Sequence, residues 1–182
     1  MRKQIGAHNL IVGLFLLVFF LSTATYTAVS EAREEEKNKI EKAYEITYKN
    51  VDRTEVLRKF LEKYQSPLAN ETETFVQVAD IQDLDYRLLP AISCMESGCG
   101  KVLIPETYNA WGWGIYGNNV ISFSSWKEGI EKVGEGIAKN YASRGLDTPE
   151  KMAPVYTPPN SVHWKNGVRF FMNQMDEIAL SI

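Results

Sequence analysis

Leu88-Leu89-Pro90-Ala91-Ile92-Ser93-Cys94-Met95-Glu96-Ser97-Gly98-Cys99-Gly100 is the stretch on which the fold turns. Leu88, Leu89, Ala91, Ile92 and Met95 make it apolar on most sides, which predicts a central helix starting near Asp85. Pro90 fits only near the helix start, where a missing N–H costs little. Gly98 and Gly100 predict its end. One carboxylate, Glu96, interrupts the apolar run at its C-terminal end. There it meets the negative end of the helix dipole, and partial burial further disfavours its ionised form. Both effects raise its pKa and suit a general acid near neutral pH. A solvated Glu near a helix end fits the same spacing.

Outward from this helix, Asp52-Arg53-Thr54-Glu55 predicts a capping box. Val56, Leu57, Phe60, Leu61 and Tyr64 follow at helical spacing, and Ser66-Pro67 ends that helix. A second helix is expected from about Glu71 to Ile81. After the central helix, Tyr108-Asn109-Ala110-Trp111-Gly112-Trp113-Gly114-Ile115-Tyr116 reads as a strand. Gly117-Asn118-Asn119 reads as a turn and Val120–Phe123 as the return strand, together a small β-hairpin. On a strand, Trp111 and Trp113 would face the same side. Ser124-Ser125 caps a further helix with Ile130, Val133, Ile137 and Tyr141 on one face. A proline-rich stretch (Pro149, Pro154, Pro158, Pro159) precedes a last helix from about Val162 to Leu180. The expected fold class is α+β, mainly α, with one hairpin inserted after the central helix.

The chain has 182 residues, 45% hydrophobic and 24% charged, a globular composition that excludes collagen-like and disordered classes. Its 20 Lys and Arg against 23 Asp and Glu give a net charge of −3. An acidic chain argues against nonspecific nucleic-acid binding, so no nucleic-acid partner is expected. Two His and two Cys exclude most multi-ligand metal sites, and neither metal nor cofactor is expected. Arg2 and Lys3 followed by the apolar run Leu10–Leu21 have the layout of a signal peptide. Extended through Val29, the run also suits an N-terminal membrane anchor. Residues 1–29 are therefore read as signal peptide or anchor, and either places the rest outside the cytoplasm, secreted or tethered. The charge-dense residues 30–51 read as a helical spacer, and residues 52–182 as one domain.

The block from Tyr108 to Tyr116 alternates Trp with Gly, which suits aromatic packing against sugar rings with close backbone approach. Core filling by the same aromatics is the alternative. Cys94 and Cys99 flank Glu96, and both a disulfide and two buried thiols fit their spacing.

These two blocks carry a resemblance. Leu89-Pro90-Ala91-Ile92-Ser93-Cys94-Met95-Glu96-Ser97-Gly98-Cys99-Gly100-Lys101 resembles the acid-bearing helix of bacterial endo-β-N-acetylglucosaminidases, peptidoglycan-cleaving enzymes of the lysozyme-like superfamily with a Glu-Ser-Gly-x-Gly-Lys signature. The Glu-Ser pair is also similar to that opening the site of soluble lytic transglycosylases. Tyr108–Gly114 resembles the Asn-x-aromatic-Gly block of the glucosaminidases, and Phe123–Ile130 their following turn into a helix. The resemblance spans roughly Asp83 to Ile178, over half the chain.

It implies a lysozyme-like domain that cleaves the β-1,4 glycan backbone of peptidoglycan as a monomer, its partner being the glycan strand. Glu96 corresponds to the general acid. Ser97, Tyr108, Asn109, Trp111, Trp113 and Tyr116 correspond to the walls of the substrate cleft. Tyr141 and Tyr156 are further aromatic candidates; Tyr156 is preferred because Pro154 and Pro158 would stiffen its loop. No second carboxylate can be assigned, although glycosidases ordinarily use two. Glu106, Glu128 and Asp147 are the nearest candidates. Without one, the substrate's own N-acetyl group would act as nucleophile, or the sugar's 6-hydroxyl would attack as in lytic transglycosylases. The rivals from other classes are a noncatalytic glycan-binding wall module and a cysteine peptidase pairing Cys94 or Cys99 with His163.

Overall fold

The computed structural model describes residues 25–39, 51–115, 117 and 119–182. The chain divides into two compact units, Met1–Asn50 and Val51–Ile182. In the first, residues 25–39 are helical and exposed, with Lys39 paired to Glu35 one turn away at 2.6 Å. The helix runs through the expected boundary at residue 29. The apolar run Leu10–Leu21, on which the leader reading rests, lies outside the described residues, as does the spacer from residue 40 to 50. Among the described residues no helix is long and apolar enough to cross a membrane.

The second unit is built from six α-helices. They are α1 (Arg53–Lys63), α2 (Thr72–Gln82), α3 (Leu88–Ser97), α4 (Trp126–Asn140), α5 (Pro149–Tyr156) and α6 (Ser161–Ala179). Short 3₁₀ turns at Pro67–Glu71, Ala142–Arg144 and Pro158–Asn160 connect them. Local chemistry sets several boundaries. Asp52 Oδ1 accepts from the N–H groups of Thr54 and Glu55 at 3.0 and 3.1 Å, which caps α1. Glu55 points instead to Arg58 and Lys59 on its own helix. At α4 a variant of the capping box forms, with the glutamate reaching back to the residue before the N-cap. Ser125 Oγ accepts from the Glu128 N–H at 3.1 Å, and Glu128 Oε2 accepts from the Ser124 N–H at 2.6 Å.

Helix α3 is the centre of the unit, with Leu88, Leu89, Ala91 and Ile92 all buried. Burying each of the large ones contributes about 1.5–3 kcal/mol. Pro90 stands at the third helical position, where its missing N–H would have had no intrahelical partner. Arg87, just before the helix, bonds both Asp85 and Asp176, tying the start of α3 to the end of α6. Helix α4 approaches α2 and α3 closely at Gly134, where a Cβ would fall 2.3 Å from Val78 Cγ1. Helix α6 packs on both α3 and α1, meeting α1 through Phe171 and Gln174.

The expected hairpin is absent: no strand forms among the described residues of the segment 108–123. Its glycines are turn residues. Gly112, Gly114 and Gly117 have φ of 59°, 66° and 60°, and Tyr108 joins them at 48°. Left-handed backbone bends a chain that a strand would keep extended. A backbone hydrogen bond from the Phe123 N–H to Thr107 O, at 2.8 Å, joins the two ends. The consequence for the two tryptophans is that they do not share a face. Trp111 enters the core, donates its indole N–H to Leu89 O at 2.9 Å and meets Phe75 edge-on. Trp113 lies half-buried over Gly136 of α4.

The proline-rich stretch differs from expectation as well. Pro149 occupies the first turn of α5 and Thr148 caps it, so residues 149–156 are helical. Tyr156 ends a helix rather than sitting in a stiffened loop.

Candidate functional site

Glu96 is the penultimate residue of α3. The helix stops one residue later because Gly98 takes a left-handed conformation (φ 59°), with its N–H returning to Cys94 O at 3.1 Å. The Cys99 N–H reaches Ser93 O at 3.2 Å. A disulfide joins Cys94 to Cys99, with their Cα atoms 3.6 Å apart, and so brackets Glu96 on both sides. The bridge leaves neither sulfur available as a thiol nucleophile, and His163 is exposed on α6.

The Glu96 carboxyl opens into a cleft of about 540 Å³. The loop Trp111–Ile115 forms one wall, and Asn140, Tyr141, Tyr156 and Thr157 form the other. Glu96 is exposed to solvent as a residue, while the protein around its carboxyl, Trp164 included, partly desolvates it. That desolvation raises its pKa above the ordinary glutamate value of 4.5. A hydrogen bond from Trp164 Nε1 to Glu96 Oε1, at 2.7 Å, opposes the rise more weakly. The net direction is upward, towards the protonated state a general acid requires.

An aromatic chain backs the carboxyl. Trp164 is stacked on Tyr156 with ring centres 4.6 Å apart, and Tyr156 lies 5.7 Å from Tyr141. The Tyr156 hydroxyl donates to Trp111 O at 3.3 Å, which links the two cleft walls at their base.

Of the site residues expected from sequence, Glu96, Trp113 and Tyr156 meet at this cleft, as does Tyr141; Trp111 borders it, but its indole is 1% exposed and held in the core by Leu89 O. Ser97 and Asn109 do not line it. Ser97 Oγ donates to Ser93 O and Ala110 O and accepts from the Gly100 N–H, fastening the loop to the end of α3. Asn109 is buried, and its amide bonds Trp113 and Ile121 backbone groups. Both hold the wall in place instead of forming it. Tyr108 packs edge-on against Trp126, away from the cleft lining. Tyr116 lies outside the described residues.

Among the described residues Glu96 is the only carboxylate lining the cleft. Glu106 is exposed in the preceding loop. Glu128 is occupied as a helix cap, and Asp147 pairs with Lys151 at 2.7 Å. No group of acidic, His or Cys side chains among the described residues is arranged to hold a metal ion. Trp164 is the site residue that sequence reading misses. A lone tryptophan in an amphipathic helix reads as core, and only the packing of α6 on α3 brings it to Glu96.

No protein-family model matches this chain, and no curated protein is significantly similar to it in sequence.

Proposed function

We propose that this chain is a lysozyme-like peptidoglycan hydrolase that cuts β-1,4 glycosidic bonds of the glycan backbone, in the manner of an endo-β-N-acetylglucosaminidase. One observation carries the reading: a carboxyl with raised pKa, at the end of a buried helix, opens into a cleft walled by Trp and Tyr side chains. Aromatic faces suit the C–H faces of sugar rings. A protonated Glu96 is placed to deliver its proton to the glycosidic oxygen as the bond breaks. The domain acts as a monomer, without a cofactor, on glycan strands outside the cytoplasm, where the disulfide persists. Residues 1–29 serve as its signal peptide or anchor, and residues 30–51 as the spacer to the wall.

That Glu96 is the one carboxylate lining the cleft among the described residues favours a nucleophile supplied by the sugar itself. The 2-acetamido oxygen would fill that role in a hydrolase. The 6-hydroxyl would do so in a lytic transglycosylase, with Glu96 as acid and then base.

Mass spectrometry of soluble products from purified peptidoglycan tests the proposal, with the domain lacking residues 1–29 compared against Glu96→Gln. New reducing N-acetylglucosamine ends, lost in the variant, are expected. A 1,6-anhydro-muramic product assigns the transglycosylase route. Wall binding without product release by either protein would make the chain a glycan-binding module and overturn the enzymatic reading.

A further inference from the structure

The fold treats the two carboxyl oxygens of Glu96 differently. Oε1 accepts from Trp164 Nε1 at 2.7 Å. Oε2 faces Gly112, where an added Cβ would lie 4.0 Å from it, and Gly112 is part of the cleft lining. Trp164 itself is 3% exposed and held from two directions. Tyr156 stacks on its ring, with an angle of 29° between the planes. Three residues along α6, Gly167 lets the helix close onto α3: a Cβ there would fall 2.3 Å from Met95 Sδ. The indole is thus fixed against both α5 and the helix that carries the acid.

Building on the glycosidase reading, we propose that Trp164 is the positioning residue of the acid: it holds Oε1 as an acceptor and so assigns the transferable proton to Oε2, the oxygen facing the cleft.

The indole N–H is a donor only. A proton on Oε1 would set donor against donor, so the neutral carboxyl carries its O–H on Oε2. In the reaction the Oε2–H bond breaks and the proton passes to the glycosidic oxygen. The C–O bond breaks with its electron pair going to that oxygen. The sugar carbon takes electrons from the substrate's acetamido oxygen or 6-hydroxyl, and the O–H proton of the attacking hydroxyl, or of the water that later opens the acetamido adduct, returns to Oε2. Negative charge on the carboxylate strengthens the Trp164 hydrogen bond while the proton is away. The donor therefore favours proton release and limits how far burial raises the pKa. Besides Glu96, the ionisable groups lining the cleft are the phenols of Tyr141, beyond α4, and Tyr156, on α5. The loop wall contributes Trp, Gly and Ile, and α6 contributes the indole; the lining has no Lys, Arg, His or Asp among the described residues.

The test replaces Trp164 in the folded domain by benzothienylalanine, which keeps the ring shape and removes the donor, and compares it with Trp164→Phe. Two readouts are taken: titration of the Glu96 carboxyl carbon by NMR, and the pH profile of peptidoglycan cleavage. Removing the donor is expected to move the carboxyl midpoint and the alkaline limb of kcat/KM upward together, by about one pH unit. kcat should fall about tenfold while KM changes little. An unmoved midpoint in the folded analogue overturns the proposal and leaves Trp164 as core filling. A shifted midpoint in a protein that releases nothing from the wall upholds the indole–carboxyl arrangement and overturns the glycosidase reading instead.

Discussion

Asn109 and Trp113 grip each other through two hydrogen bonds. Asn109 Oδ1 accepts from the Trp113 N–H at 2.9 Å, and its Nδ2 donates to Trp113 O at 2.9 Å. The same Nδ2 donates to Ile121 O, also at 2.9 Å. One buried amide thus does for this loop what a ladder of strand hydrogen bonds does for a hairpin. Asn109→Ala strands three backbone groups and should destabilise the domain by about 2–4 kcal/mol. Asn109→Asp keeps the acceptor and should still lose the two donor contacts. Urea unfolding reads both, and a loss under 0.5 kcal/mol for the alanine variant would refute the clamp.

Glu96→Gln should raise stability at neutral pH while abolishing cleavage. Glu96 has a folded pKa above its unfolded value, so between the two values the folded state binds more protons. Stability is then present below the unfolded pKa and declines as pH rises through the window from there to the raised folded value. Glutamine keeps an oxygen for Trp164 and carries no charge, so it escapes that decline. Unfolding midpoints for the two proteins should coincide at acid pH and diverge above it. A variant less stable than the parent at pH 7 would contradict the partial burial of this carboxyl.

The Cys94–Cys99 bridge closes a loop of only a few residues, for which loop-closure entropy gives about 2 kcal/mol. Cys94→Ser with Cys99→Ser should lower stability by that amount. Cleavage should persist under conditions where the variant is folded, because no sulfur takes part in the chemistry. Complete loss of activity in a folded double variant would revive thiol catalysis.

Gly136→Ala places a methyl group 2.3 Å from Trp113 Cζ2 and 3.0 Å from its Cε2. The ring lines the cleft, so displacing it should reshape that wall. KM on soluble glycan fragments should rise about threefold or more, with kcat less affected. Gly134→Ala presses instead on Val78 and Leu89 inside the core, so its effect should appear in stability rather than in KM. Similar KM effects from both would break the assignment of Trp113 to the cleft wall.

The parts of the fold that were legible in the sequence are those whose causes are local. The Asp52 cap, the Ser125–Glu128 box and the apolar run from Leu88 to Met95 each depend on neighbours within a turn. Glu96 stood out because a lone carboxylate ends that run. The segment 108–123 misled because alternation of Trp with Gly has the period of a strand. What decides there is the sign of φ at Gly112 and Gly114, which a two-residue period does not encode. Pro149 and Pro154 read as part of a proline-rich stretch with Tyr156 in a stiffened loop, yet the first is favourable in an opening turn and the second lies inside the same short helix. Ser97 and Asn109 were expected in the cleft walls because they stand in the two motifs that carry the resemblance. Their buried partners are backbone groups brought close only by the folded loop. Trp164 had no local signature, since its partner lies 68 residues away.

That separation has a bearing on when the site is complete. The acid leaves the ribosome before α6 does, and a chain still being synthesised carries a glutamate with no indole beside it. Helices α1 to α4 already have much of their core at that stage, but the face of α3 around Met95 stays bare until Gly167 docks. Contacts of such long range form late and slowly. The last helix is in this sense the completing step: the Glu96–Trp164 pair, drawn from both halves of the domain, does not exist until α6 has docked.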